Sequence, residues 1–186
     1  MKRFRVLLLI LSVVLAAVSA AQGKLAAGER GIKIAIEGRG DIIIRLHTKQ
    51  APKTTSRIIE LVRKKFYDGQ KFYRVIRTPR PYLIQAGAPG SRDKDVDSPD
   101  LLKEGTGTTI GYEDSGFNND AEGVVGFSAQ PGDRDSGDCQ FYILLAPAKF
   151  LDGNYTVFGK VIQGLDILKK IEKGDKIVSI TIVDGG

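Results

Sequence analysis

The residues best placed to do chemistry lie in the stretch 72–85, FYRVIRTPRPYLIQ, which sets Arg74 and Gln85 among large apolar groups. Phe72, Tyr73, Val75 and Ile76 are aromatic or β-branched and predict a strand; Tyr82-Leu83-Ile84-Gln85 resumes that character beyond Pro79 and Pro81. Alternate residues of a strand share a face, so Arg74 is expected to point with Phe72 and Ile76, and Gln85 with Leu83. A guanidinium and an amide with no acid, thiol or imidazole beside them are unsuited to nucleophilic attack. They suit the capture of a small apolar ring whose flanking carbonyls accept hydrogen bonds. Taken alone, the stretch reads equally as an edge strand with one solvated Arg.

Other chemistries find little support. His47 is the only histidine, and it follows a strand-like run, which predicts a surface position near a strand end. Gly126-Phe127-Ser128-Ala129-Gln130 lacks the second Gly of a nucleophile elbow, which argues against hydrolysis. Cys139 is the only cysteine, so the chain has no internal disulfide and no Cys/His zinc site; a small buried apolar role is expected. Asp133-Arg134-Asp135 suggests calcium, but neither the third ligand nor the Gly of an EF-hand loop falls in register. No metal and no cofactor is implied.

The 186 residues amount to one domain behind a leader. Met1-Lys2-Arg3-Phe4-Arg5 is basic, residues 6–18 are almost wholly apolar, and Val18-Ser19-Ala20 fits a small-x-small cleavage site. Residues 1–20 therefore read as a signal peptide, which places the mature protein outside the cytoplasm, periplasmic or secreted, with no lasting membrane insertion. An uncleaved anchor is the alternative, although the apolar run falls short of the roughly 20 residues that a span needs. Without the three basic residues of the leader, the net charge of +6 drops to +3. That is mild, with Lys and Arg scattered among acids, and no nucleic-acid footprint emerges.

Residues 21–30 read as a flexible mature N-terminus, and 31–186 as the domain proper. Residues 32–37 and 41–46 flank Gly38-Arg39-Gly40 as a hairpin. A helix is expected over 51–65, opened by Pro52, with Ile58, Leu61, Val62 and Phe66 inward and Arg57, Glu60, Arg63 and Lys64 outward. Residues 88–122 are rich in Gly, Asp and Ser, a connection long enough to be functional or a covering loop. Strands are expected at 123–128, 140–145, 156–161 and 177–183, and a short helix at 165–173 capped by Gly174. Many short strands with two helices predict a mainly β fold, a closed or nearly closed barrel plugged by helices.

Ala51-Pro52-Lys53-Thr54, Phe66-Tyr67-Asp68-Gly69, Phe72-Tyr73-Arg74-Val75-Ile76, Leu83-Ile84-Gln85, Gln140-Phe141-Tyr142-Ile143, Phe150-Leu151-Asp152-Gly153 and Thr156-Val157-Phe158-Gly159-Lys160-Val161 occur in the order found in cyclophilins. From about residue 32 to 183 the chain thus resembles that family of peptidyl-prolyl cis/trans isomerases. The resemblance implies a closed antiparallel β-barrel of about eight strands capped by two α-helices. It implies Arg74 as the catalytic arginine and Gln85 as a substrate-binding glutamine. It further implies Tyr82, Leu83, Tyr142 and Leu151 as pocket residues, Phe150 as a rim residue often held by Trp, Gln130 as a backbone contact to substrate, and Tyr155 where many members carry His. Departures are an insertion within Arg77-Thr78-Pro79-Arg80-Pro81 beside the arginine, and Ala86-Gly87-Ala88 where the family has Gly-Gly-Asp. The expected partners are proline-containing segments of folding exported proteins, bound by a monomer. The rival expectation is a proline-peptide binding or chaperone module with little catalysis.

Overall fold

The structure, a computed structural model, describes residues 23–186. The expected signal peptide lies outside the described residues. Within the expected loose N-terminus, Gly23 N–H donates to the Ile162 carbonyl at 3.0 Å, and the Glu29 carbonyl accepts from Gly185 N–H at 2.8 Å.

Strands β1 (Arg30–Ile36) and β2 (Gly40–Leu46) form the expected hairpin, and Gly38 takes a φ of 66° in the turn, a conformation open to glycine at little cost. Their inward residues Ile32, Ile34, Ile36, Ile42, Ile44 and Leu46 are all buried. Helix α1 (Pro52–Arg63) follows, with Ile58, Leu61 and Val62 against the core. Ala51 supplies no side-chain cap, and the Glu113 carboxylate accepts the N–H groups of Lys53 and Thr54 in its place. An anion at this end also suits the helix dipole. Arg57, expected on the outer face, is buried instead: its guanidinium reaches Glu60, Asp138 and Thr106, because residues 104–108 and 138 cover that side of the helix.

The remaining strands are β3 (Arg74–Ile76), β4 (Leu83–Ala86), β5 (Val124–Phe127), β6 (Phe141–Leu144), β7 (Val157–Gln163) and β8 (Ile177–Asp184). All eight join one antiparallel sheet in the order β3-β4-β6-β5-β7-β2-β1-β8. The expected closed barrel is open. β3 and β8 do not pair as strands; a bridge between Lys71 and Lys176 and neighbouring bonds such as Phe72 N–H to the Asp175 carbonyl span the seam. Phe72 thus belongs to the seam and is buried in the main core, and the alternation that would align it with Arg74 starts only at β3.

Helix α2 (Leu165–Leu168) is shorter than the expected span of 165–173. Its continuation is diverted: Arg77 Nη2 donates to the carbonyls of Lys169 and Ile171, and Gly174 N–H donates to Phe72. The insertion after β3 is therefore anchored on this segment. Among the described residues no helix is long and apolar enough to cross a membrane.

The sheet's two faces serve different ends. Ile84, Ala86, Val125, Phe127, Phe141 and Ile143 point into the main core, whereas Leu83, Val124, Tyr142, Leu144 and Val157 form a second apolar cluster on the opposite face. Strand periodicity alone produces this division.

Candidate active site

A cleft of about 810 Å³ opens over the second cluster. Strand register places one row of residues beneath it: Arg74 pairs with Gln85, Gln85 with Tyr142, and Tyr142 with Gly126, across β3, β4, β6 and β5. Arg74, Tyr82, Leu83, Gln85, Gln130, Phe150, Leu151 and Tyr155 line the cleft. Eight expected site residues are thus brought together by the structure. Tyr82 meets Phe150 edge-on at 5.4 Å, and Phe150 is 67% exposed on the rim.

Tyr142 departs from its expected place in the pocket wall. Only 2% exposed, it lies behind the lining and contacts it edge-on through Tyr155 at 5.7 Å. Two features hold it there: its hydroxyl donates to Asn119 Oδ1 at 2.7 Å, and its ring crosses Gly126. A Cβ at position 126 would come 2.1 Å from Tyr142 Cζ, so only glycine leaves room. Burial pushes the Tyr142 phenol well above its ordinary pKa, so it remains a neutral donor.

A hydrogen-bond chain orients the polar half of the site. The carbonyls of Leu101 and Glu104 can only accept, and they take Gln140 Nε2 at 2.8 and 2.7 Å. Gln140 Oε1 consequently faces the other way and accepts from Tyr73 OH and, at 3.0 Å, from Gln85 Nε2. Gln85 Nε2 also donates to Ser128 Oγ at 3.0 Å. Gln85 Oε1 is left to accept from Arg74 Nη1 at 3.0 Å. Gln85 and Gln140 are both buried, so a reversed amide would leave unpaired groups away from water. The result is a half-buried guanidinium tethered at one end on the wall of the cleft.

Sequence reasoning missed Tyr73, Ser128 and Gln140 as parts of this chain, and Leu102 and residues 131–135 as cleft lining. Gln140 belongs to the motif Gln140-Phe141-Tyr142-Ile143, but its role depends on the carbonyls of Leu101 and Glu104, which no local pattern links to it. Asp133 and Asp135 use side-chain oxygens on the N–H groups of Asp135 and Tyr112, and Arg134 lies over the Tyr112 ring at 4.6 Å. Cys139 is buried and its thiol pushed up by burial, as suits a packing role. His47 follows β2 half-buried, stacked on Phe117 and outside the cleft lining.

Known proteins match this arrangement. Residues 31–184 match the family described as cyclophilin type peptidyl-prolyl cis-trans isomerase/CLD. A probable peptidyl-prolyl cis-trans isomerase of Brucella suis is 35% identical over 160 residues, covering 77% of this chain and 78% of that protein. Human peptidyl-prolyl cis-trans isomerase-like 1 is 32% identical over 143 residues, 71% of this chain and 74% of its own length. A crystal structure of a Cryptosporidium parvum cyclophilin-type isomerase superposes with a TM-score of 0.71 at 22% identity, covering 85% of this chain and 99% of that one. By family match and by relatives covered over most of their length, the chain belongs to the cyclophilin-type peptidyl-prolyl cis-trans isomerases.

Proposed function

We propose that Arg74 performs the isomerisation by stabilising an X-Pro amide while it is twisted, on segments of exported proteins. The carrying observation is the Arg74 guanidinium, tethered to Gln85 at 3.0 Å on the wall of the cleft that Tyr82, Leu83 and Leu151 line. A planar X-Pro amide resists rotation by about 18–20 kcal/mol because resonance must be broken. In the twisted amide the proline nitrogen regains its lone pair and accepts a hydrogen bond, so a fixed donor aimed at it favours the twisted state over either planar one. Arginine suits this role through its rigid fork of donors and permanent charge. The apolar residues hold the proline ring while the preceding part of the peptide turns, and they keep water off the guanidinium contact.

Proline peptides are the supported ligand class: a Cryptosporidium parvum cyclophilin, TM-score 0.69 to this chain, was crystallised in the presence of the dipeptide Ala-Pro. Export is supported by the basic start, apolar run and small-x-small site of residues 1–20. Exchange NMR on an Ala-Pro-containing peptide tests the mechanism: the purified protein is expected to broaden and merge the cis and trans signals at substoichiometric concentration. Binding without faster exchange would leave only a proline-peptide binding module. Mass spectrometry of the protein recovered from the cell envelope or medium tests export, with a mature N-terminus near residue 21 expected.

A further inference from the structure

A buried tyrosine hydroxyl needs a partner, and the partner of Tyr142 ties the site's floor to its rim. Asn119 is 1% exposed, and every one of its polar groups is used. Its Oδ1 accepts from Tyr142; its Nδ2 and its backbone N–H both donate to Asp152 Oδ1, at 3.0 and 2.7 Å; its carbonyl accepts from Ala148 N–H at 2.8 Å. Ala148 and Asp152 flank the 3-10 turn Lys149–Leu151, which carries Phe150 and Leu151 to the cleft. Three bonds from one residue therefore suspend the rim turn, and the fourth sets the direction of the Asn119 amide.

We infer that Asn119 is a positioning residue for proline binding, holding the Phe150–Leu151 rim over the cleft, and that the hydroxyl of Tyr142 locks it in that role. The inference rests on the cleft being the proline-peptide site. Asn119 has no place in the lining and acts through the turn it supports. Rim contacts with the proline ring are the same whether the amide is planar or twisted, because the ring does not rotate. Loosening them weakens binding of ground and transition states alike, which raises KM and spares kcat. The hydroxyl matters because without it Asn119 Oδ1 is left buried with no donor.

The test measures KM, kcat and peptide Kd for the full protein, well below its melting temperature, with Tyr142→Phe, Asn119→Leu and the double variant. Tyr142→Phe is expected to raise KM and Kd about fivefold, the factor that corresponds to about 1 kcal/mol, with kcat within about twofold. Asn119→Leu is expected to raise them further, and the double variant to match Asn119→Leu alone, since both changes cut one chain. Unchanged KM in the folded Tyr142→Phe protein overturns the inference, as does a kcat that falls with KM constant. If Asn119→Leu does not fold, Tyr142→Phe decides by itself. If the wild type binds the peptide without accelerating exchange, the catalytic reading fails while the Kd series still judges the rim.

Discussion

Replacing Arg74 separates the contribution of charge from that of geometry. Moving X-Pro isomerisation from tens of seconds to milliseconds takes about four decades of rate, roughly 5–6 kcal/mol of preferential stabilisation. A preorganised donor aimed at developing charge is worth about 2.7–4 kcal/mol, or two to three decades. Arg74→Ala should therefore lower kcat by a hundredfold to a thousandfold, leaving one or two decades to desolvation and orientation by the cleft. The fold should survive, because Arg74 is only half-buried and β3 pairs with β4 through its backbone. The stability loss is about 1 kcal/mol, for Gln85 Oε1 left without its donor.

Arg74→Lys is the sharper variant. It keeps the charge, yet one ammonium must reach both Gln85 Oε1 and the amide nitrogen, where the guanidinium spreads these tasks over separate nitrogens. If tethering by Gln85 is what aims the donor, Lys should lose at least tenfold in kcat. Exchange NMR with matched circular dichroism and urea titrations reads both quantities. A folded Arg74→Ala protein with activity within threefold of wild type would refute the assignment. A fully active Arg74→Lys protein would refute the geometric argument and leave charge alone.

Two further perturbations test the frame that carries the site. Arg57→Met should cost about 1–3 kcal/mol in urea unfolding, because it leaves the partly buried Asp138 carboxylate without its cation; a loss below 1 kcal/mol would mean that the backbone N–H groups of residues 106–108 suffice. His47 is held below its ordinary pKa by burial and then by Arg45, so its stabilising contribution is full above about pH 6.5 and is lost as pH falls through the lowered value. His47→Phe should accordingly flatten the fall of Tm between pH 7 and 5, and an unaltered slope would exclude the imidazole as its source.

What the sequence made legible is what local pattern controls. The β1–β2 hairpin, the inner stripe of α1 and the outer strands follow from alternation and helical spacing, and Arg74 and Gln85 follow from motifs in family order. What stayed hidden depends on partners distant in the chain. Arg57 looks solvated on any helical projection, which carries no trace of the loop that covers it. Tyr142 looks like pocket wall until Gly126 and Asn119 draw it under the lining. The cross-strand row from Arg74 to Gly126 needs the register of β3, β4, β6 and β5, and no single segment encodes it.

The loop over residues 88–122 sharpens this point, for it was the least readable stretch and it orients the most. Its Leu101 and Glu104 carbonyls fix the Gln140 amide, hence the Gln85 amide, hence the tether of the Arg74 guanidinium; its Asn119 bonds the rim turn at Asp152. The strands bring Arg74 and the apolar hollow together, but strand geometry leaves the end of a long, flexible side chain free to wander. The connection over 88–122, outside the sheet, supplies the directional acceptors that remove that freedom: the Glu104 carbonyl and the Leu101 carbonyl in a 3-10 turn. The aim that the proposed role of Arg74 requires thus comes from a connection whose helices are short 3-10 turns, not from the strands that carry the residue.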